Sequence, residues 1–134
     1  MADMLQLEIV TPEREVMRTE VEEVEIPGAK GQIGVLPGHA PLITELAIGE
    51  IIYRKNGQRE RLACSWGFAE VLPDKVTILA ERAERAEEID LARAEEAKRV
   101  GEERLRAAET PEDVSKALKR IERANVRIEV AKAD

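Results

Sequence analysis

The sequence changes its pattern near residue 80, and this change limits the possible folds more than any other feature. All three aromatic residues precede that point, as do all glycines except Gly101 and all prolines except Pro111. Beyond it the chain is dominated by charged residues, with alanine as the main apolar residue. Aromatic and turn residues are typical of sheets, whereas long charged faces are most easily supplied by helices. The chain is therefore predicted to have an α+β fold, with a β-rich domain over residues 1–84 and a helical domain over residues 85–134.

The first domain contains short apolar runs separated by turn residues. Leu5, Leu7 and Ile9 alternate with polar residues, which is the period of a half-buried strand. Many such strands separated by turns predict an antiparallel β-sandwich or flattened barrel. A weaker alternative is an α+β domain in which residues 39–47 contain a helical turn.

Several strand boundaries can be predicted from turn residues. Asn56-Gly57 and Pro73-Asp74 are each expected to form the turn of a hairpin, and Asn-Gly is among the strongest hairpin signals. The strand that follows Asn56-Gly57 is predicted to end at Cys64, before a separate strand over residues 68–72. Residues 16–26 are predicted to form one long extended segment, stopped by the proline and glycine that follow it.

The second domain is predicted to be an antiparallel two-helix hairpin. Thr110 fits an N-cap and Pro111 the first helical position, with acidic residues in the first turn. On both sides of this turn apolar residues recur at spacings of three and four, and most of them are alanines. Alanine lets helices approach closely but buries little apolar area, and each Å² contributes only about 25 cal/mol. We therefore expect the hairpin to depend on docking against another surface and to be movable.

Charge and composition argue against several classes of protein. The net charge of −7 disfavours nucleic-acid binding, which needs a basic surface. No apolar run approaches the ~20 residues that span a bilayer, so direct membrane insertion is not expected. The single cysteine, Cys64, is expected to be a small buried strand residue. The single histidine, His39, has no evident catalytic partner or metal cluster, which argues against a β-sandwich enzyme.

The segment from Gly34 to Leu42, GVLPGHAPL, combines two prolines with two glycines. The prolines fix φ, and the glycines permit conformations that are closed to other residues. The segment is predicted to be a rigid loop between strands that presents His39. Loops held in this way are common contact sites.

Four segments together carry a family resemblance. They are VTPER at 10–14, PGAKGQIGVLPGHAPL at 27–42, DKVTILAE at 74–81 and IDLARA at 89–94. In this order and at this chain length, they resemble the epsilon subunit of F-type ATP synthases, over essentially the whole chain. The resemblance implies a β-sandwich followed by a two-helix hairpin, which agrees with the prediction from the residues alone.

The resemblance also implies a function, that of a non-catalytic rotor subunit in the central stalk. In that family the sandwich binds the gamma subunit and sits on the membrane c-ring, which helps couple proton translocation to ATP synthesis. The hairpin either folds on the sandwich or extends along gamma towards the alpha and beta subunits, and the extended form inhibits ATP hydrolysis. A peripheral position at the cytoplasmic face of the bacterial plasma membrane is expected. The alternative is a free-standing adaptor whose hairpin binds another protein.

Two groups of partner-contact residues follow from the resemblance. Residues of two loops would face the c-ring or gamma: Gly31, Gln32, His39, Ala40, Pro41 and Leu42. Basic residues of the second helix would meet an acidic segment of the beta subunit: Lys116, Lys119, Arg120 and Arg123. The alternative for the second group is a plain solvated face, because surface charges on helices usually contribute little.

ATP is implied as a regulatory ligand, with no cofactor required. In some bacterial members of the family a nucleotide binds at positions that correspond here to Glu84, Ile89, Asp90, Arg93, Ala94, Arg123 and Arg127. Arg123 and Arg127 are four residues apart, so both can reach one phosphate group with paired guanidinium donors. The alternative is that Asp90 only caps the first helix and that no nucleotide binds.

Three residues depart from the family pattern. Gln32 lies where an acid is frequent, and Val100 lies at a further basic position of the nucleotide site. Trp66 lies where a glycine is usual. We expect this large apolar side chain to pack either in the core or against gamma.

Overall fold

The computed structural model describes residues 3–133 and contains eight strands and two helices. In chain order the strands are β1 (Leu5–Val10), β2 (Glu15–Val21), β3 (Glu23–Gly28), β4 (Gly31–Val35), β5 (Leu42–Leu46), β6 (Gly49–Lys55), β7 (Gln58–Val71) and β8 (Lys75–Arg85). A short 3₁₀ turn, Ala86–Glu88, joins β8 to the helices α1 (Leu91–Ala107) and α2 (Pro111–Lys132). The predicted order of a β domain followed by two helices is confirmed.

The strands form one sheet that folds back on itself. Its main path runs β2-β1-β8-β7-β5-β3-β4, and β6 pairs with both β3 and β7. Because β3 also pairs with β5, and β5 with β7, these four strands close a circuit, which is the predicted sandwich or flattened barrel. One pair, β1 with β8, is parallel, so the prediction of a wholly antiparallel sheet is wrong in this detail. The two strands lie at opposite ends of the domain sequence, and no local pattern reveals their direction.

Alternate residues of the strands form the apolar core of the sandwich. Leu5, Leu7 and Ile9 on β1 are completely buried, as their alternation with polar residues predicts. Val76 lies opposite Leu7, and Ile78 opposite Ile9, and both are equally buried. Burying a side chain of this size stabilises a fold by about 1.5–3 kcal/mol. The sandwich therefore has a core of its own, formed without the helices.

The two helices form the predicted hairpin, and α2 lies on the sandwich against β6, β7 and the 3₁₀ turn. The Thr110 hydroxyl accepts a hydrogen bond from the backbone N–H of Asp113 at 3.0 Å, and Pro111 opens α2. A Cβ on Gly101 of α1 would lie 2.9 Å from Cγ1 of Ile121, so glycine at this position sets how closely the helices approach. Within residues 3–133, neither helix is long and apolar enough to cross a membrane.

The strand predicted over residues 16–26 is wrong in its continuity and in its end. The predicted segment 16–26 is divided into β2 and β3 by a bend at Glu22. The Glu22 carboxylate accepts the N–H of Gly57 at 2.8 Å and pairs with Arg54, so the bend is fastened to the neighbouring hairpin. Pro27-Gly28, expected to stop the segment, form the last two residues of β3, where the Pro27 carbonyl accepts the N–H of Ala47 at 2.8 Å.

Two further expectations, both for the second half of the sandwich, are wrong. β7 does not end at Cys64 but continues to Val71, through a left-handed step at Trp66 (φ 52°) and Gly67 (φ 154°). β5 occupies residues 42–46, so the alternative of a helical turn over 39–47 is wrong. By contrast, the hairpin at Asn56-Gly57 is confirmed, because both residues have the positive φ that this two-residue turn requires.

Candidate functional site

A cavity of about 540 Å³ lies between the hairpin and the sandwich. Its sandwich wall consists of the β1–β2 turn and adjoining parts of β7 and β8, and its other wall of residues from α1 and α2. The volume falls within the range of small-molecule sites, about 300–1,000 Å³. The cavity lies at the joint, the region where the hairpin meets the sandwich. A ligand in the cavity would therefore contact both domains.

The lining of the cavity is cationic. Six arginines and three glutamates contribute to it. Within the part of the chain that the structure describes, four of these arginines have no carboxylate oxygen within 4.0 Å: Arg82, Arg93, Arg120 and Arg123. Guanidinium groups gathered without counter-ions repel one another, and they form strong bidentate hydrogen bonds to phosphate. The cavity is therefore suited to a polyanion.

The other two lining arginines form ion pairs at the joint. Nε of Arg127 on α2 lies 2.8 Å from Oε1 of Glu84 on β8. Nη2 of Arg14, in the β1–β2 turn, lies 2.7 Å from Oε2 of Glu88 in the 3₁₀ turn. The hydrogen bond from the Arg85 backbone N–H, with Arg14 beside it, holds the pKa of Glu88 below its ordinary value. Both pairs are partly exposed, and such pairs contribute about 0–1 kcal/mol, so they fasten the hairpin only weakly.

The seven residues nominated for nucleotide binding divide into two sets. Four of them line the cavity: Glu84, Arg93, Arg123 and Arg127. The other three surround the start of α1. Asp90 accepts the backbone N–H of Arg93 at 3.2 Å and is the N-cap, Ile89 ends the 3₁₀ turn, and Ala94 is completely buried. The predicted cap is confirmed, and nucleotide binding at this site stays a prediction.

Sequence reasoning missed part of the cavity lining. Arg14 and Arg82 come from the sandwich, and strand pairing brings them opposite α2. No local signal could have placed them there. Arg120 was assigned only to a partner contact, although its spacing of three and seven from Arg123 and Arg127 puts it on the same face of α2. That spacing is the signal that would have added Arg120 to the site.

The basic residues nominated for contact with a beta subunit share one face of α2, and only part of that face borders the cavity. Arg120 and Arg123 line the cavity, whereas Lys116 and Lys119 lie outside it and are exposed. This contact stays a prediction.

The residues nominated for contact with the c-ring or gamma lie at the two ends of β4. Gly31 and Gln32 begin the strand and are exposed, and the loop that contains His39 follows its last residue. Ala40 and Pro41 in that loop are exposed, and Leu42 begins β5. Gly38, with φ 90°, donates its N–H to the Pro73 carbonyl at 2.7 Å, and His39 Nδ1 lies 2.7 Å from the Ala40 carbonyl oxygen. These bonds hold the loop in one shape, as its composition predicts, and its partner contacts stay a prediction.

Cys64 lies in the sandwich core at the border of the cavity and is only 2% exposed, as the sequence predicts. Burial raises the pKa of its thiol to about 12. At pH 8 roughly one thiol in ten thousand is then the reactive thiolate. Because Cys64 and its strand partner Ala83 belong to the sandwich core, we expect a maleimide to label Cys64 slowly and at equal rates in the full chain and in a chain that ends at Glu88. A rate at least about tenfold faster in the shorter chain would show that the hairpin shields the thiol. Equal rates would mean that the sandwich alone buries the thiol, and Cys64→Ser gives the blank.

The fold and the cavity define a class of two-domain protein in which a helical hairpin docks on a β-sandwich and closes a cationic cavity. Models of the ATP synthase delta/epsilon chain match both parts, residues 4–86 as the β-sandwich domain and residues 87–132 as the long α-helix domain. The chain belongs to the ATP synthase epsilon-chain family.

Individual relatives are similar in sequence to this chain over most of its length. The chain is 61% identical over 108 residues to the ATP synthase epsilon chain of Koribacter versatilis, which covers 81% of this chain and 76% of the relative. It is 49% identical over 133 residues to that of Geotalea uraniireducens, which covers 98% and 96%. Among solved structures, a chain of the Euglena gracilis mitochondrial ATP synthase has a TM-score of 0.82 at 22% identity, covering 97% of this chain and 82% of that one. The predicted family and fold are confirmed.

Proposed function

We propose that the chain is a non-catalytic rotor subunit in the central stalk of a bacterial F-type ATP synthase. Membership of the epsilon-chain family supports this role. The sandwich binds the gamma subunit and rests on the c-ring, which helps couple proton translocation to ATP synthesis. The extended hairpin reaches the alpha and beta subunits and inhibits ATP hydrolysis. The protein works at the cytoplasmic face of the plasma membrane without entering the bilayer.

The hairpin is the regulatory element of this proposal. Its seam is made of small residues and its ion pairs to the sandwich are partly exposed, so the docked and extended states can differ by little free energy. In the docked state Arg120 and Arg123 line the cavity. In the extended state the same side chains become available to an acidic segment of the beta subunit. Arg120 and Arg123 cannot hold a ligand in the cavity and bind the beta subunit at the same time. The hairpin therefore switches between a docked and an extended state.

The observation that carries the regulatory part is the set of unpaired arginines in the cavity. In the described part of the chain, Arg93, Arg120 and Arg123 have no carboxylate partner. The triphosphate of ATP supplies the negative charge that pairs with these arginines. ATP contacts both walls and so binds the docked state preferentially. A ligand at 100 times its Kd stabilises the state that binds it by about 2.7 kcal/mol. Cellular ATP then favours the docked, non-inhibitory state.

The test is an ATP titration of the full chain, followed by amide chemical shifts. We expect saturable shifts around Asp90, Arg93, Arg123 and Arg127. Arg123→Ala removes a guanidinium group that has no ion pair to lose within residues 3–133. Charged hydrogen bonds contribute about 1.5–3 kcal/mol, so the Kd should rise about tenfold or more.

Two variants control for side effects in this titration. Arg104→Ala removes an exposed positive charge from α1 outside the cavity and should leave the Kd within about twofold. Asp90→Asn keeps a good N-cap while removing the carboxylate, so it separates capping from ligand contact. The absence of saturable shifts up to millimolar ATP would show that Asp90 is a cap alone and that the hairpin is controlled by its protein partners.

A further inference from the structure

The two walls of the cavity differ in charge. Among the described residues, the charged lining of the hairpin wall consists of arginines alone: Arg93, Arg120, Arg123 and Arg127. The sandwich wall contributes all three acids of the lining together with two arginines: Glu13, Glu81, Glu84, Arg14 and Arg82. The hairpin wall therefore attracts a polyanion, whereas the effect of the sandwich wall depends on the balance between its acids and its arginines.

Two acids of the sandwich wall have unpaired negative charge. Glu84 is paired with Arg127 at 2.8 Å across the joint. Glu13 and Glu81, by contrast, have no cation within 4.0 Å among residues 3–133. Like charges repel more strongly in a partly dehydrated cavity than in bulk water. On their own, these two carboxylates would oppose a phosphate group held by the hairpin and would favour undocking when a ligand binds.

Arg14 and Arg82 lie beside these carboxylates, and each directly follows one of them in the sequence. Arg82 is exposed and lies opposite Ser65 on β7, which also lines the cavity. It has no carboxylate oxygen within 4.0 Å in the part of the chain that the structure describes. The guanidinium of Arg14 bonds Glu88 through Nη2, which leaves its other N–H groups as donors. Both side chains can therefore donate to a ligand in the cavity.

We propose that Arg14 and Arg82 bind phosphate oxygens of a polyphosphate from the sandwich side, and that this contact makes ligand binding favour the docked hairpin. The inference rests on the proposed binding of ATP in the cavity. Guanidinium groups offer paired donors to phosphate, and here they also offset the two unpaired acids. A ligand shifts an equilibrium only by its difference in affinity for the two states. Hairpin arginines travel with the hairpin, so the sandwich arginines supply the attractive part of that difference.

The test is calorimetric titration of the full chain with ATP and, separately, with inorganic tripolyphosphate, which carries the phosphates without a nucleoside. Arg82→Gln is the first variant, because within residues 3–133 it has no ion pair to lose. The Kd for both ligands should rise about tenfold or more, as expected for a lost charged hydrogen bond. Lys30→Gln removes an exposed sandwich charge outside the cavity and should leave both Kd values within about twofold.

Arg14 needs a different control, because Arg14→Gln also breaks the ion pair with Glu88. Glu88→Gln breaks the same pair but leaves the guanidinium in place, and its amide oxygen can still accept the backbone N–H of Arg85. Arg14→Gln should raise the Kd for ATP about tenfold, whereas Glu88→Gln should not raise it. An equal rise in the two variants would show that Arg14 acts only through its ion pair, which would overturn its part of the proposal.

Amide hydrogen exchange in α2 measures docking independently of affinity. Isolated helices are marginal in water, so these amides exchange mainly when the hairpin is undocked. Saturating ATP should slow their exchange in the parent and in the Lys30→Gln chain. In the Arg82→Gln chain the slowing should be about tenfold smaller, because coupling between ligand binding and docking is reciprocal. Equal slowing in all three chains would overturn the proposed link between the sandwich arginines and docking.

The outcomes separate this inference from the function on which it rests. If the parent binds ATP and the folded Arg82→Gln and Arg14→Gln chains bind both ligands equally well, the inference is overturned and ATP binding stands. If Arg82→Gln weakens ATP alone and not tripolyphosphate, Arg82 contacts the nucleoside and the phosphate contact is wrong. A parent that binds tripolyphosphate but not ATP would overturn the proposed nucleotide, and a weaker tripolyphosphate complex of Arg82→Gln would still support the contact. A parent that binds neither ligand would overturn both.

Discussion

Gly67→Ala should destabilise the sandwich more than any other single substitution considered for this chain, by about 3–5 kcal/mol. A Cβ at this position would lie 2.1 Å from the Leu79 carbonyl oxygen and 2.8 Å from Cα of Ala80. Both are backbone atoms of the paired strand β8, so no side chain can move to make room. The φ of 154° adds strain for any residue other than glycine. Chemical denaturation followed by circular dichroism measures the loss, and the expression yield should fall with it.

Gly34→Ala is the matched control for this substitution. Gly34 is also a strand glycine, but a Cβ there meets no atom of the described residues, 3–133, within 4 Å. The free energy of unfolding of the Gly34→Ala chain should differ from that of the parent by less than about 1 kcal/mol. A Gly67→Ala chain as stable as the parent would show that β7 and β8 do not approach each other at the left-handed step as described.

Local chemistry predicted those parts of the fold in which a few neighbouring residues decide the conformation. Asn56-Gly57 forms its hairpin because both residues accept positive φ. Thr110 and Pro111 begin α2 because a hydroxyl and a missing N–H suit the first turn of a helix. In each case no distant part of the chain is needed. These predictions depended only on intrinsic backbone preferences.

The errors occurred where distant residues decide the outcome. The sequence predicts one strand that ends at Cys64 and a separate strand over residues 68–72. In the structure the strand continues, since Glu45 holds the indole and Phe68 packs against it. Likewise, Glu22 bends its strand because it is bonded to Gly57 and Arg54, more than thirty residues away. Side-chain contacts between strands are set by the register, and the register is not visible in a local pattern.

The cavity was predicted in part for the same reason. The family motif supplied Arg93, Arg123 and Arg127, which lie on the two helices. Arg14 comes from the β1–β2 turn and Arg82 from β8, and only the pairing of β1, β7 and β8 brings them to the joint. The charge of the site is therefore a property of both domains. This is the physical reason why a ligand in the cavity should control docking rather than merely bind a helix.

Removal of the hairpin should have the largest effect on the assembled enzyme. In a reconstituted complex, a chain that ends at Glu88 should bind gamma with unchanged affinity, because the sandwich core is formed without the helices. Hydrolysis of ATP by the complex should rise several-fold, since no helix is left to extend towards the beta subunit. The sequence pattern changes near residue 80, but the truncated chain should end at Glu88. Arg82, Ala83 and Glu84 still pair with β7, so an earlier end would remove part of the sheet. Steady-state hydrolysis and binding to gamma are the two measurements.

A second variant shows whether charge, rather than bulk, carries the inhibition. Lys116 and Lys119 lie outside the cavity, so replacing both with Gln should weaken inhibition while leaving ATP binding by the isolated chain unchanged. Arg120 and Arg123 cannot be used in this way, because their loss would alter both states of the switch at once. Loss of gamma binding on truncation would contradict the division of labour between the domains. Full inhibition by the double Gln variant would contradict only the acidic contact, and the hairpin would then inhibit through its apolar faces.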